Sequence, residues 1–187
     1  LEPDHITDSI ISRLSTVHKF CPQFHISLQS GCNKTLKNMN RHYTAKEYEE
    51  LCNKLRAAFK DCSLTTDVMV GFHEETEQDF EESLAFVKRI SFEKVHVFPY
   101  SERTGTAASK RGDSVSKQEK DHRASVMITE TEKIRQNYLE RQIGKKVRLL
   151  VEGRANREYL RGYTKNYLPV LLKSTQDLTG CETDCII

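Results

Sequence analysis

No run of about 18 apolar residues occurs in this chain, so nothing in it is long enough to span a bilayer as a helix. The first residues, Leu1-Glu2-Pro3-Asp4, lack the basic and apolar regions of a secretory signal peptide. Both absences point to a cytosolic home. Closely spaced cysteines are lacking too: Cys21, Cys32, Cys52, Cys62, Cys181 and Cys185 are scattered without the paired intervals of zinc or ferredoxin-type sites. Cys181 and Cys185 form one close pair, but two thiols with no histidine nearby are an incomplete ligand set, and no metal site is expected there. Most of the six read as reduced core or surface thiols. Neither an internal repeat nor a low-complexity tract is present.

What is present is an ordinary globular composition. The 187 residues suffice for one domain and a smaller one, and 37% hydrophobic with 30% charged residues supports a real core. The chain does not begin with Met and a helical pattern starts within a few residues, so it is expected to be a fragment. The formal charge of +2 hides an asymmetry, because residues 141–187 hold nine Lys/Arg against five Asp/Glu. This basic end is a candidate polyanion surface, although an excess of that size equally suits a solvated face.

Ile6, Ile10, Ile11, Leu14 and Val17 recur at helical spacing around a capping Thr7. Thr44-Ala45-Lys46-Glu47 is a capping box that opens a second helix with Tyr48, Leu51, Cys52, Leu55, Ala58 and Phe59 on one stripe. A third starts near Thr76 and carries Phe80, Leu84, Val87 and Ile90. Between them, Phe24–Leu28, Leu64–Val70 and Lys94–Phe98 read as strands. Strand and helix in alternation predict a parallel sheet, and three strands cannot close a barrel. Ser116-Lys117-Gln118-Glu119 is another capping box, opening a long charged helix with Met127, Ile128, Ile134, Tyr138 and Leu139 that runs to about Ile143. Beyond Gly144 the period changes to two: Val147–Val151, Arg157–Tyr163 and Leu168–Leu172 predict a small antiparallel β-domain, barrel-like in form.

The strands carry polar residues where a doubly buried parallel strand would be apolar. Phe24, Ile26 and Leu28 alternate with His25, Ser27 and Gln29, Asp67 sits within Leu64–Val70, and His96 lies between Val95 and Val97. One polar cavity is expected on the second face. A carboxylate there is costly without a partner, so Asp67 either meets a ligand or holds Thr65, Thr66 or a helix N-terminus. His25 and His96 read singly as satisfied barrel histidines, and together as part of a site. The C-terminal strand ends, where barrel active sites lie, are Gln29-Ser30-Gly31, Val70-Gly71-Phe72 and Phe98-Pro99-Tyr100-Ser101, with glycines that permit close backbone approach to a ligand.

At those strand ends the sequence resembles a known family. His25-Ile26-Ser27-Leu28-Gln29-Ser30-Gly31 with Leu36 through Thr44, Thr65-Thr66-Asp67-Val68-Met69-Val70-Gly71-Phe72 with Glu75-Thr76-Glu77, and Val95 through Ser101 with Gly105-Thr106 resemble three successive blocks of the radical S-adenosylmethionine tRNA methylthiotransferases. Gly162-Tyr163-Thr164-Lys165-Asn166-Tyr167 resembles that family's C-terminal TRAM domain, a small RNA-binding β-barrel. The variant Ser30-Gly31-Cys32-Asn33 is most similar to the branch acting on threonylcarbamoyladenosine beside the anticodon. The resemblance implies an α/β fold over residues 1–143, a partial, half TIM-like parallel βα barrel, followed by a TRAM-like domain over 144–187.

The resemblance further implies an enzyme that uses S-adenosylmethionine and two 4Fe-4S clusters to add a methylthio group at C2 of an adenosine. The family's motif of three cysteines spaced by three and two residues is absent here, so this chain alone is expected to be inactive. Gln29, Arg41 and Asp67, with Ser27, His96 and Phe98, are the implied contacts to S-adenosylmethionine or the substrate base. Lys145, Lys146, Arg148, Arg161 and Lys165 are the implied phosphate contacts to a tRNA anticodon loop, with Tyr163 and Tyr167 stacking on unpaired bases and one of the two tyrosines expected in the core. Departures fall at His73-Glu74, where the family usually has Pro-Gly, and at Glu102, Thr104 and Ala107, where it often has prolines. The TRAM-like part is expected to stop early, at Cys185-Ile186-Ile187. Two other readings stay open: a non-enzymatic RNA-binding protein on a degenerate half-barrel, and a phosphate-binding TIM-type enzyme, which would lack its Gly-rich loop. An open half-barrel exposes a sheet edge, so self-association is expected.

Overall fold

The computed structural model describes residues 1–187 and contains two sheets. The first is parallel, with β1 (Gln23–His25), β2 (Ser63–Val70) and β3 (Lys94–Pro99) side by side in chain order. Helix α1 (Asp8–Ser15) precedes the strands, and α2 (Asn33–Asn38), α3 (Ala45–Ala58), α4 (Glu77–Ile90) and α5 (Lys117–Glu140) lie between and after them. Phe24, Ile26, Leu28, Leu64, Val68 and Val70 are buried in one core with Tyr48, Leu55, Phe86, Val87 and Met127 of the helices. The sheet is therefore covered on one face only, as in a segment of a βα barrel.

The caps read from the sequence mark where these helices start. Thr7 Oγ1 accepts from Ile10 N, while Thr44 and Glu47 form the reciprocal box at α3. Thr76 forms the same box with Asp79 at α4. At α5 only half the expected box exists: Ser116 Oγ accepts from Glu119 N at 3.1 Å, but the Glu119 carboxylate turns to Arg123 Nε at 2.9 Å. Ile10 and Ile128, expected in apolar stripes, are exposed because α1 and α5 pack along narrower seams than their sequences offer, and Val17 is exposed because α1 ends at Ser15, before reaching it. The six-residue α2 has no counterpart in the sequence reading.

β1 is shorter than its pattern for a visible reason. Beyond His25 the ladder to β2 is broken by side chains: Leu28 N donates to Thr66 Oγ1 at 2.9 Å, and Thr66 Oγ1 and Tyr48 OH both donate to Ile26 O, at 2.6 and 2.7 Å. Tyr43 OH bonds the carbonyls of Ser27 and Leu28. These hydroxyls satisfy buried backbone groups that a ladder would otherwise take. Pairing resumes at Gln29, which bridges Val68 and takes φ 66°.

The second sheet is antiparallel in the order β6-β5-β4-β7, with β4 (Lys146–Arg154), β5 (Tyr159–Thr164), β6 (Pro169–Lys173) and β7 (Glu182–Ile186). It differs from the expected small barrel: β6 and β7 are edges that do not pair, so the sheet stays open over Leu149, Val151 and Leu160. Residues Glu182–Ile186 form β7 and pair with β4. This sheet docks at the N-terminal ends of the parallel strands. Ser63 Oγ donates to Asn166 O at 2.7 Å, Asn166 Nδ2 to Asp61 O at 2.9 Å, and Lys145 Nζ lies 3.1 Å from Asp61.

Candidate functional site

The uncovered face of the parallel sheet carries the polar set. By register Thr65, Asp67 and Met69 of β2 lie beside Lys94, His96 and Phe98 of β3, and His25 lies beside Thr65. His25 Nε2 is 3.1 Å from Asp67 Oδ2 and its Nδ1 is 3.0 Å from Thr65 Oγ1, which also accepts from Gln23 Nε2 at 3.2 Å. The partner of Asp67 is thus a histidine on the next strand. The rings of His25 and His96 meet edge to face at 5.9 Å. Partial burial, and then the Lys94 ammonium, hold His96 below its ordinary value of 6.5. Phe98 is 51% exposed, a flat apolar surface at the top of this face.

One implied contact is engaged elsewhere, and one sits at a slip of register. The interrupted ladder inserts one residue and sets Gln29 opposite Val68, where it is half-buried like His25 and Ser27. Arg41 holds Glu2 through Nη1, at 2.8 and 2.7 Å to the two carboxylate oxygens. Ser27 stays at the edge, where its N–H donates to Leu1 O at 3.0 Å.

Nor do the strand-end glycines open space for a ligand. A Cβ on Gly31 would lie 2.5 Å from Phe86 Cβ, and one on Gly71 would lie 2.3 Å from Lys120 Cγ. Their small size serves helix packing. Beside Gly71, the buried Glu75 carboxylate accepts from Gly71 N at 2.7 Å and from Arg123 Nη1 at 2.9 Å, bracing the loop after β2 to α5. Burial pushes Glu75 up from its ordinary value, against the pull of Gly71 and Arg123.

The implied RNA contacts divide into two groups, one in a cleft at the N-terminal ends of the strands and one bordering the polar face itself. Lys145, Lys146, Arg148 and Lys165 line a cleft of about 220 Å³ between the two sheets, joined by Lys60, which the sequence reading did not single out. Several are engaged: Arg148 Nε is 2.8 Å from Glu182 and Lys146 Nζ is 3.9 Å from Asp184. Tyr163 and Tyr167 stack with centroids 4.4 Å apart and planes at 13°. Neither tyrosine belongs to the buried core, against the expectation that one would. Both border a cavity of about 310 Å³ with His25, His96, Lys94 and Arg135. Arg161 is exposed on β5, opposite Leu171, and lines neither cavity.

The cysteines remain apart. Cys32 and Cys52 are buried, Cys62 and Cys185 half-buried, Cys21 and Cys181 exposed. No three His, Cys, Asp or Glu side chains converge as metal ligands, so the donors present do not fit an iron–sulfur cluster. The hydroxyl, carboxylate and imidazole groups on the open face, with Phe98, do fit the polar and flat portions of a nucleoside. No helix is long and apolar enough to cross a membrane.

Residues 2–87 match the family model of the radical SAM superfamily. Over 185 residues the chain is 37% identical to the threonylcarbamoyladenosine tRNA methylthiotransferase MtaB of Bacillus subtilis, covering 96% of this chain and 41% of the relative. It is 34% identical over 165 residues to the protein of that name from Thermotoga maritima, covering 88% of this chain and 38% of the relative. It is 38% identical over 178 residues to the tRNA-2-methylthio-N(6)-dimethylallyladenosine synthase of Endomicrobium trichonymphae, covering 95% and 42%. The chain spans about two fifths of the length of these relatives.

Proposed function

The chain belongs to the tRNA methylthiotransferase family of radical SAM proteins, and from that premise we propose that it forms the far wall of a barrel that methylthiolates an adenosine in tRNA. The polar, uncovered face carrying His25, Asp67, His96 and Phe98 is the observation that supports this most directly. It offers hydrogen-bonding groups and a flat ring where a covered sheet would bury apolar side chains.

S-adenosylmethionine, with two 4Fe-4S clusters held outside these residues, would supply the radical and group-transfer chemistry. Asp67 and Ser27 are suited to its hydroxyl and ammonium groups, Phe98 to stacking, and His96, held neutral, to donating or accepting at a base edge. Gln29 lies at the end of the same half-buried alternation as His25 and Ser27, and Arg41 would take part only if it exchanges Glu2 for a ligand. The second sheet would act as the TRAM-like module, gripping tRNA with Lys145, Lys146, Arg148, Arg161 and Lys165. A cytosolic location suits such a substrate.

The second sheet docks at the N-terminal ends of the parallel strands, and its tyrosines border the cavity that also meets His25 and His96, so a base of a bound anticodon arm would lie beside the open face. Threonylcarbamoyladenosine is the proposed nucleoside, supported by the Ser30-Gly31-Cys32-Asn33 variant and by the names of two of the relatives.

The test is to express the complete reading frame that encodes this chain, reconstitute clusters anaerobically and analyse digested tRNA by mass spectrometry. Methylthio-threonylcarbamoyladenosine is expected from the parent and not from Asp67→Ala. Methylthio-dimethylallyladenosine would reassign the nucleoside. No methylthio product despite intact clusters would leave a protein that only binds RNA.

A further inference from the structure

We propose that Tyr167, stacked on Tyr163, is a preformed platform for one unpaired base of single-stranded RNA, with the adjoining phosphate held by Lys94. This deepens, and rests on, the RNA-binding role proposed for the second sheet. Tyr167 has φ 65°, a left-handed conformation that suits Gly or Asn and disfavours a bulky side chain. It is nonetheless 56% exposed and outside the core, and the contact its ring makes is with the other tyrosine of the pair, so the core does not require a tyrosine there. Backbone strain at a position the core does not require concentrates at binding sites.

The neighbouring bonds show how the conformation is kept. Asn166 is fixed on three sides: its Nδ2 donates to Asp61 O at 2.9 Å and to Tyr138 OH at 3.2 Å, its carbonyl accepts from Ser63 Oγ at 2.7 Å, and its Oδ1 accepts from Thr164 Oγ1 at 2.5 Å. Tyr167 N then donates to Thr164 O at 2.9 Å, closing the turn. The ring is thereby presented without the entropy loss that ordering a free side chain would bring.

The chemistry beside the ring selects the ligand. The cavity of about 310 Å³ bordered by the tyrosines also meets Lys94, Arg135, His25 and His96. Lys94 is exposed and makes no ion pair, whereas Arg135 lies 4.0 Å from the buried Glu93. A flat π-face beside an uncommitted cation fits a base with its phosphate, and every base has a face that can stack. A duplex, whose bases are already stacked, would not fit.

The experiment uses the 187-residue chain, which has seven tyrosines and no tryptophan, so the part of the change in tyrosine emission that is lost in Tyr167→Gly reports on that ring. It is titrated with single-stranded hexa-adenylate RNA and with a duplex of equal length. Tyr167→Gly is expected to unfold at no lower temperature than the parent and to bind the single strand about 5- to 150-fold more weakly, the equivalent of ~1–3 kcal/mol of base–aromatic stacking. Tyr167→Phe should restore most of the affinity. Lys94→Ala should weaken binding and reduce the salt slope by about 0.7, one phosphate's share for a single strand.

Unchanged single-strand binding in Tyr167→Gly, together with loss in Lys146→Ala/Arg148→Ala, would overturn the platform and leave the RNA-binding role standing. A parent that binds neither RNA would overturn both. Preference for a proline-rich peptide, which can also lie on paired tyrosines, would overturn the ligand class.

Discussion

His25 donates its Nε2–H to Asp67 Oδ2 across 3.1 Å while its Nδ1 faces Thr65 Oγ1 at 3.0 Å. A carboxylate can only accept, so the proton of the neutral ring belongs on Nε2, and Thr65 donates to Nδ1 while accepting from Gln23. The expected outcome is an Nε2–H tautomer in the 15N spectrum of the histidine rings. Asp67→Ala should shift His25 toward a mixture of tautomers, and Thr65→Val should not remove the Nε2–H signal. A parent that shows the Nδ1–H form would contradict the arrangement.

His96 is governed by groups from three strands and one helix. Burial and the Lys94 charge push its pKa down, Asp67 pulls it up, and His25 and Arg135 push it down when charged. It should titrate below its ordinary value of 6.5. Because the folded pKa is depressed, any stability His96 contributes is present above the unfolded value and lost as pH falls through the folded one. Chemical-shift titration of Lys94→Gln should move His96 upward, and Asp67→Asn should move it further down.

Much of this fold can be read from local chemistry. Thr44 with Glu47, and Thr76, announce their helices because a cap is a contact within four residues. The alternation in β2 and β3 exposes the polar face, since side-chain period follows from strand geometry alone. The slip at Gln29 was not legible, because it depends on hydroxyls of Thr66, Tyr43 and Tyr48 from other segments. Arg135 and Lys60 were hidden for a similar reason: each is one cation among many until folding sets it beside a cavity. Lys94 could have been found, as it shares the period of His96 and Phe98.

Asp79 gives the chain an acid-sensitive joint. Burial raises its pKa, but Lys34 at 2.6 Å and the Thr76 cap win and bring it from 3.8 to about 2. A depressed carboxylate contributes stability that is full above its unfolded pKa and is lost as pH falls through its folded one. That window runs from about pH 4 down to about pH 2, and at 1.36 kcal/mol per unit the contribution is about 2 kcal/mol. Asp79→Ala should therefore lower unfolding stability by about 2 kcal/mol at neutral pH, and much less near pH 2, measured by urea denaturation.

Arg123 and Glu75 form a buried pair, with side chains 6% and 1% exposed. Removing one member leaves the other charged without its partner, a change that costs about 3–5 kcal/mol in buried pairs. Arg123→Met should lose about that much, while Arg123→Met with Glu75→Gln should recover a substantial part, since the amide still accepts from Gly71 N without an uncompensated charge. Equal losses in the single and double variants would show that the arginine acts through packing on Phe80, whose ring centroid lies 5.6 Å away.

The outer edge of β3 pairs with no strand, and the face beside it presents Phe98 half exposed. Unpaired N–H and C=O groups next to an apolar ring are a template for another strand. The 187-residue chain is therefore expected to self-associate, with a sedimentation coefficient that rises across the micromolar range. Phe98→Lys places a charge on the exposed face and should suppress the rise without lowering the melting temperature, because that side chain is outside the core. A parent whose sedimentation is independent of concentration would mean that the twist of three strands and the α5 helix packed against β3 already protect the edge.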